Sequence, residues 1–227
     1  MGGTTADYYS EKLSAQKLKR CYEIAPPRVQ QYLRAEIDFV LDHLRADDCV
    51  LELGCGYGRV LKALARKVRD AVGIDTSLGS LQAAREYCVE QPDCRLLRMN
   101  ALNLGFANHS FDTVVCIQNG ISAFHNDPRS LILESLRVLK PGGVAFFSSY
   151  SGKFWNDRLE WFRLQASEGL IGEIDEAKTG NGVIVSKDGF TAITFTPDDF
   201  RSLTSGLALD IRIEEVDESS VVCAIKK

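Results

Sequence analysis

The sequence predicts an α/β fold with a largely parallel sheet, and three observations carry that expectation. From residue 48 to residue 150, short apolar runs alternate with amphipathic stretches, the rhythm of βα units. The first apolar run feeds a glycine-rich turn and then a helical pattern, and the C-terminal stretch holds two further β-like runs. The chain has 227 residues, 45% hydrophobic and 26% charged, which is long enough to bury a sizeable core and too apolar for disorder. A single domain over 1–227 is expected, divided into an N-terminal helical cap (1–44), a core (45–150), an insertion (151–195) and a closing helix and hairpin (196–227).

In the core, Cys49, Val50, Leu51, Glu52 and Leu53 form the first expected strand, and Val60, Leu61, Leu64 and Val68 follow at helical spacing. A second strand is expected over 71–75, then a helix over 77–90 with Leu81, Ala84 and Cys88 on one face. Residues 94–99 and 111–117 read as the third and fourth strands. Asp127 and Pro128 supply an N-cap and a first-turn proline to a helix carrying Leu131, Leu133, Leu136 and Leu139. Lys140, Pro141, Gly142 and Gly143 stop it before a fifth strand over 144–148.

The flanks break the rhythm. Residues 7–44 hold two helical patterns separated at Pro26 and Pro27, with Lys12, Lys17, Lys19, Arg20, Arg28 and Arg34 forming a modest positive patch. After the fifth strand, Trp155, Trp161 and Phe162 sit in an expected helix, and Gly180, Gly182, Asp188 and Gly189 punctuate a β-hairpin insertion. Thr196, Pro197 and Asp199 carry the pattern of a capping box, and 208–216 with 220–225 end the chain as a hairpin.

Composition narrows function. With 27 basic and 31 acidic residues the net charge is −4, which disfavours a bulk nucleic-acid binder. No apolar run is long enough to span a bilayer, the N-terminus has no signal-like stretch, and Ala6 stands where a myristoylation motif needs Ser or Thr, so no membrane association and a cytoplasmic location are expected. The seven Cys form no CxxC pair and mostly sit in apolar runs, which reads as reduced, buried thiols. No metal site is expected, because His43, His109 and His125 are far apart and none neighbours a Cys at ligand spacing.

The informative stretch runs from Val50 to Arg59, where Gly54, Gly56 and Gly58 are spaced GxGxG between a strand and a helix. Glycines at such a turn permit positive φ and close approach of backbone to a ligand at the positive end of a helix. A dinucleotide fingerprint would need glycine at position 59, which is Arg59, and no Gly-Lys-Ser/Thr follows for a P-loop. Asp75 closes the second strand, where a carboxylate accepts hydrogen bonds from ribose hydroxyls; capping the next helix is its alternative role.

These residues resemble the class I, Rossmann-like S-adenosylmethionine-dependent methyltransferases over residues 48–150, with a weaker echo at the C-terminus. Glu52, Gly54, Gly56 and Gly58 match the family's acidic GxGxG motif, Asp75 its ribose-binding acid, and Asn100-Ala101 its adenine-flanking pair, where the family commonly has Asp-Ala. That departure implies altered adenine recognition, since Asn still offers a carbonyl oxygen. The resemblance implies a three-layer sandwich around seven strands, six parallel and one antiparallel near the C-terminus. It places the methionine part of S-adenosylmethionine at Gly54, Cys55 and Gly56, the ribose at Asp75 beside Thr76, the adenine at Asn100 and Ala101, and the sulfonium above Gln118 and Asn119. S-adenosylhomocysteine is the implied product.

Methyl transfer from a sulfonium is an in-line displacement, so the protein supplies alignment and exclusion of water, and a base only where the acceptor is a hydroxyl. His125, after the fourth strand, is the candidate base; packing against the next helix is its alternative. Tyr150 and Trp155 are candidate acceptor contacts, with Trp161, Phe162 and Tyr8 or Tyr9 forming either an aromatic wall or ordinary core. Gln118, Asn119, Gly120 and Ile121 stand where the family's nucleic-acid amino branch has Asn-Pro-Pro-aromatic, which disfavours that branch. A small-molecule acceptor is expected; a protein or RNA methyltransferase, or a catalytically silent cofactor-binding sensor, are the alternatives, and an NAD-linked oxidoreductase is a distant third.

Overall fold

The structure, a computed structural model, describes residues 8, 12–13, 15–91, 94–124 and 126–227. In chain order its elements are α1 (Ala15–Glu23), α2 (Pro27–Asp42), β1 (Cys49–Leu53), α3 (Arg59–Ala65), β2 (Asp70–Asp75), α4 (Leu78–Tyr87), β3 (Cys94–Arg98), β4 (Phe111–Cys116), α5 (Pro128–Val138), β5 (Leu139–Tyr150), α6 (Trp155–Ser167), β6 (Val183–Val185), β7 (Thr191–Ile193), α7 (Pro197–Leu203), β8 (Asp210–Val216) and β9 (Ser220–Lys226).

Seven strands form one sheet in the order β3-β2-β1-β4-β5-β9-β8. Strands β1 to β5 pair in parallel, β9 runs antiparallel between β5 and β8, and β8 therefore runs with the first five. The strand order reverses between β1 and β4, and the expected ligand crevice of such a sheet lies there, beyond the carboxyl ends of the strands.

Alternation along the strands divides the core. Leu51, Leu53, Val114, Cys116, Ala145 and Phe147 face α5 and α7 through Leu131, Ile132 and Phe200. Val50, Val115, Phe146 and Val222 face α2 and α3 through Val40, Val60, Leu61 and Leu64. The three-layer sandwich is thus built on period-two burial. A third apolar cluster sits apart from both, joining α1, the first half of α2, α6 and the β6–β7 hairpin through Tyr8, Cys21, Tyr32, Trp161, Phe162, Ile184 and Phe190.

Most expected elements are present, including the inserted hairpin and the capping box of α7, where Thr196 and Asp199 bond reciprocally. Two placements differ. Leu139 does not belong to α5: its ψ of 139° is extended, and β5 starts there because Ser110 N–H already bonds to the carbonyl of Val138, drawing the chain into the sheet. Leu133 is 44% exposed, so the buried face of α5 is Leu131, Ile132, Ser135 and Leu136. Gly143 is needed within β5, since a Cβ there would lie 2.7 Å from the carbonyl oxygen of Asp112.

Among the described residues, no helix is long and apolar enough to cross a membrane, and no cluster of three or more His, Cys, Asp or Glu is grouped to hold a metal ion.

Candidate functional site

The glycine turn and the end of β2 form one corner. Gly54, Gly56 and Gly58 all have positive φ (70°, 53° and 88°), the conformation the GxGxG spacing anticipates. Cys55 N–H donates to the Ile74 carbonyl (2.9 Å), and Gly56 N–H to Asp75 Oδ2 (2.9 Å). These two amides are therefore already used, and what the turn offers a ligand is close approach: beside Gly54, the space a Cβ would occupy is open. Gly58 has another reason to be glycine, because a Cβ there would lie 2.9 Å from Cys88 Sγ and 3.4 Å from the Ala84 backbone.

Asp75 does not cap α4. Ser77 is the N-cap, its side chain accepting from Ser80 N–H, while Asp75 Oδ1 accepts from Ser77 N–H (2.8 Å). Burial raises the Asp75 pKa, opposed by the bonds from Ser77, Gly56 and Thr76. Thr76 is exposed, its carbonyl accepting from Arg98 Nε (3.0 Å). Asn100 is exposed at the end of β3, beside Met99, whose N–H bonds the Asp75 carbonyl. Asn100 Oδ1 accepts from Leu102 N–H (2.9 Å), which leaves it one lone pair for a ligand amine; Ala101 is buried.

Beyond β4 the backbone is strained. Gln118 and Asn119 both have left-handed φ, 58° and 60°, which costs non-glycine residues of order 1–3 kcal/mol each and persists only where surroundings enforce it. Gln118 N–H donates to Glu36 Oε2 (2.7 Å) and lies 2.8 Å from Ser148 Oγ, while Arg59 bonds Gln118 Oε1. Asn119 Oδ1 accepts from Ser149 Oγ (2.6 Å). Glu36 and Glu52 are buried carboxyls (0% and 6% exposed), and burial pushes their pKa values up to about 7 and about 8. Glu36 Oε1, Glu52 Oε2 and Arg59 Nε make no well-formed hydrogen bond.

Glu36 and Arg59 were not among the sequence-derived candidates. The signal for Glu36 was present: it is the acid on the buried stripe Val29, Tyr32, Leu33 and Val40 of α2. Arg59 is the residue that breaks the dinucleotide spacing, and in the structure its guanidinium lies 4.6 Å from the Tyr22 ring of α1.

The N-terminal cap lies over this corner. A Cβ on Gly56 would lie 2.9 Å from Leu18 Cδ2, and Ala15 N–H bonds Ser80 Oγ (3.3 Å), tying α1 to α4. Tyr150 is 5% exposed, its ring 5.3 Å from Tyr32 and 4.2 Å from the Arg158 guanidinium; Trp155 packs at the edge of the same cluster. The aromatic residues Tyr8, Trp161 and Phe162 are core of the cap, with Trp161 Nε1 bonded to the Cys21 carbonyl (2.8 Å). His125 and Tyr9 lie outside the described residues. Of the positive patch, Lys19, Arg20 and Arg28 are each within 4.0 Å of a carboxylate, and Lys12 Nζ bonds the Asp188 carbonyl. A cleft of about 550 Å³ lies to one side, between Tyr8, Lys12, Lys17 and the 169–172 loop, and not over the glycine turn.

Residues 50–143 match a family model described as a methyltransferase domain. Over this stretch the chain is similar to methyltransferase domains. It is 36% identical over 103 residues to a ubiquinone biosynthesis O-methyltransferase of Paracidovorax citrulli, covering 44% of this chain and 42% of that protein. It is 30% identical over 142 residues to a 2-methyl-6-phytyl-1,4-hydroquinone methyltransferase of Synechocystis, covering 59% and 42%. The chain thus spans about half the length of the curated relatives it matches, or less. The N-methyltransferase NodS of Bradyrhizobium japonicum, solved with S-adenosylhomocysteine, superposes with a TM-score of 0.65 at 15% identity over 99% of both chains, a likeness of fold.

The residues of this corner suit a ligand carrying positive charge: the space beside Gly54 is open, and one oxygen each of the buried Glu36 and Glu52 carboxyls makes no hydrogen bond.

Proposed function

We propose that this chain transfers the methyl group of S-adenosylmethionine to an N, O or S atom of a small molecule, releasing S-adenosylhomocysteine. The observation that carries the reading is the Gly56 N–H to Asp75 bond, which brings the glycine turn and the acid of β2 into one corner at the ends of β1 and β2. In this reading Gly54 to Gly56 lie against the methionine part, Asp75 accepts from the ribose hydroxyls through lone pairs its two backbone bonds leave over, and Asn100 and Ala101 flank the adenine. Gln118 and Asn119 line the methyl group's path. When bound, S-adenosylmethionine supplies a methyl carbon activated by its sulfonium; the chain aligns it and excludes water beneath α1.

The relatives' names support a quinone-type acceptor. Tyr150 and Trp155 would border it from the β5 and α6 side once the cap opens, and His125 would take a proton from a hydroxyl acceptor. The helices α1 and α2 and the segment 151–195 act as one lid over the carboxyl ends of β1, β2 and β4. The net charge of −4 speaks against an RNA acceptor.

Thermal unfolding with S-adenosylmethionine, S-adenosylhomocysteine and NAD tests this directly, because a ligand bound only by the folded state raises its stability. Stabilisation by the first two alone is expected; stabilisation by NAD alone would overturn the reading. His125→Ala is expected to slow turnover and leave S-adenosylhomocysteine affinity unchanged, and equal turnover would remove the base role.

A further inference from the structure

Glu36 is a carboxyl with no solvent and half a set of partners. It is 0% exposed on the apolar stripe of α2. Burying a carboxylate is costly unless hydrogen bonds or charges compensate it. One oxygen has its compensation in the Gln118 N–H at 2.7 Å; the other, Oε1, has none of good geometry.

The turn that Glu36 grips is held from every side. Besides the Ser148, Ser149 and Arg59 bonds described above, Gln118 Nε2 donates to the Leu33 carbonyl (3.2 Å) on the turn of α2 preceding Glu36. A strained, left-handed pair clamped in this way is over-determined by its surroundings, which is the condition for keeping strain at a working site.

We propose that Glu36 is a positioning residue for the methyl-donor site, one oxygen fixing the Gln118–Asn119 turn and the other kept for a cationic group of the bound donor. This rests on the function proposed above. The charged and titratable groups facing Glu36 are Tyr22 of α1, Tyr32 of α2, Arg59 of α3 and Tyr150 of β5, with the hydroxyls of Ser148 and Ser220. Arg59 bonds Gln118 and lies over the Tyr22 ring; its charge favours the ionised form of Glu36 from a distance but makes no hydrogen bond to Oε1. An ammonium on a ligand, brought against Oε1, would favour the ionised carboxyl. Affinity for such a ligand therefore rises with pH through the region near 7 where burial holds this carboxyl's titration.

The test is titration calorimetry of the chain with S-adenosylhomocysteine and with 5′-methylthioadenosine, which keeps the nucleoside and thioether and lacks the amino-acid ammonium and carboxylate, from about pH 6 to about pH 8. The wild-type protein is expected to bind S-adenosylhomocysteine about tenfold more tightly at the upper end, with flat affinity for methylthioadenosine. Glu36→Gln should weaken S-adenosylhomocysteine binding about tenfold at the upper end and leave methylthioadenosine within about twofold. The difference between the two proteins isolates Glu36 from Glu52, which titrates in a neighbouring range. Glu36→Asp, which keeps the charge on a shorter arm, should restore part of the rise.

A Glu36→Gln protein that binds S-adenosylhomocysteine like the wild type, or weakens both ligands alike, overturns the proposal. So does a wild-type pH dependence that is the same for both ligands, a result that needs no variant to fold. Wild-type protein that binds neither ligand removes the methyl-transfer function itself, and this proposal with it.

Discussion

In the glycine corner the backbone makes the structure: Cys55 and Gly56 amides bond across to Ile74 and Asp75, and three glycines take positive φ. In the cap above it, side chains make the structure. Trp161 reaches the Cys21 carbonyl, Arg158 bonds the Gly182 and Ala192 carbonyls of the hairpin, and Arg28 holds Asp217 at 2.6 Å. The corner is thus held by chain geometry, whereas the cap is a set of aromatic and ionic contacts between segments distant in sequence. The difference assigns shape to one region and access to the other.

The sharpest way to break the corner is Gly58→Val, which forces a β-branched residue to a φ of 88° against Cys88 and Ala84; a loss of about 2–4 kcal/mol in denaturant unfolding is expected. Gly56→Ala should cost clearly less, because its Cβ meets only the tip of Leu18. Next in size, Asp75→Ala should lower S-adenosylhomocysteine affinity about ten- to a hundredfold in calorimetry, the cost of a charge-assisted bond; unchanged affinity would end its ribose role.

A pH series on stability probes the buried acids between the two regions. Glu52 binds its proton more tightly folded than unfolded, so its contribution is present below about pH 4.5 and is lost as pH rises through about 8. The Tm of Glu52→Gln should therefore overtake that of the wild type as pH is raised, by a few degrees, at about 2–4 °C per kcal/mol. The smallest effect belongs to the cap: Leu18→Ala should cost about 1 kcal/mol of stability and speed S-adenosylhomocysteine association in stopped-flow mixing, since Leu18 lies on Gly56. A slower association would show that Leu18 forms the site and does not cover it.

The corner was legible in the sequence because its determinants are local. Positive φ selects glycine at 54, 56 and 58, strand burial selects apolar alternation, and Asp75 falls where β2 must end. The cap was legible only as helices, a hairpin and aromatic residues, since which of its faces meet depends on pairs far apart in sequence, such as Tyr8 with Asp188 and Arg28 with Asp217. Glu36 escaped notice for the same reason: its partner, Gln118, is 82 positions away. The helix expected to include Leu139 shows the opposite error, where a heptad-like leucine pattern ran on into a strand whose place is set by β4.

The position of β9 also constrains how the molecule is made. Synthesis delivers β1 to β5 first, and these can pair with one another as they emerge, but the outer edge of β5 from Val144 to Tyr150 finds its partner only in β9. Lys227 then pins the arrangement, its Nζ bonding the carbonyls of Leu136 and Leu139 and its backbone pairing with Gly142 and Gly143. Until β9 has been made, an apolar strand with an unpaired ladder stands open to neighbouring chains. The nascent chain is therefore exposed to misassembly in the interval between the making of β5 and that of β9, and pausing within that interval lengthens the exposure.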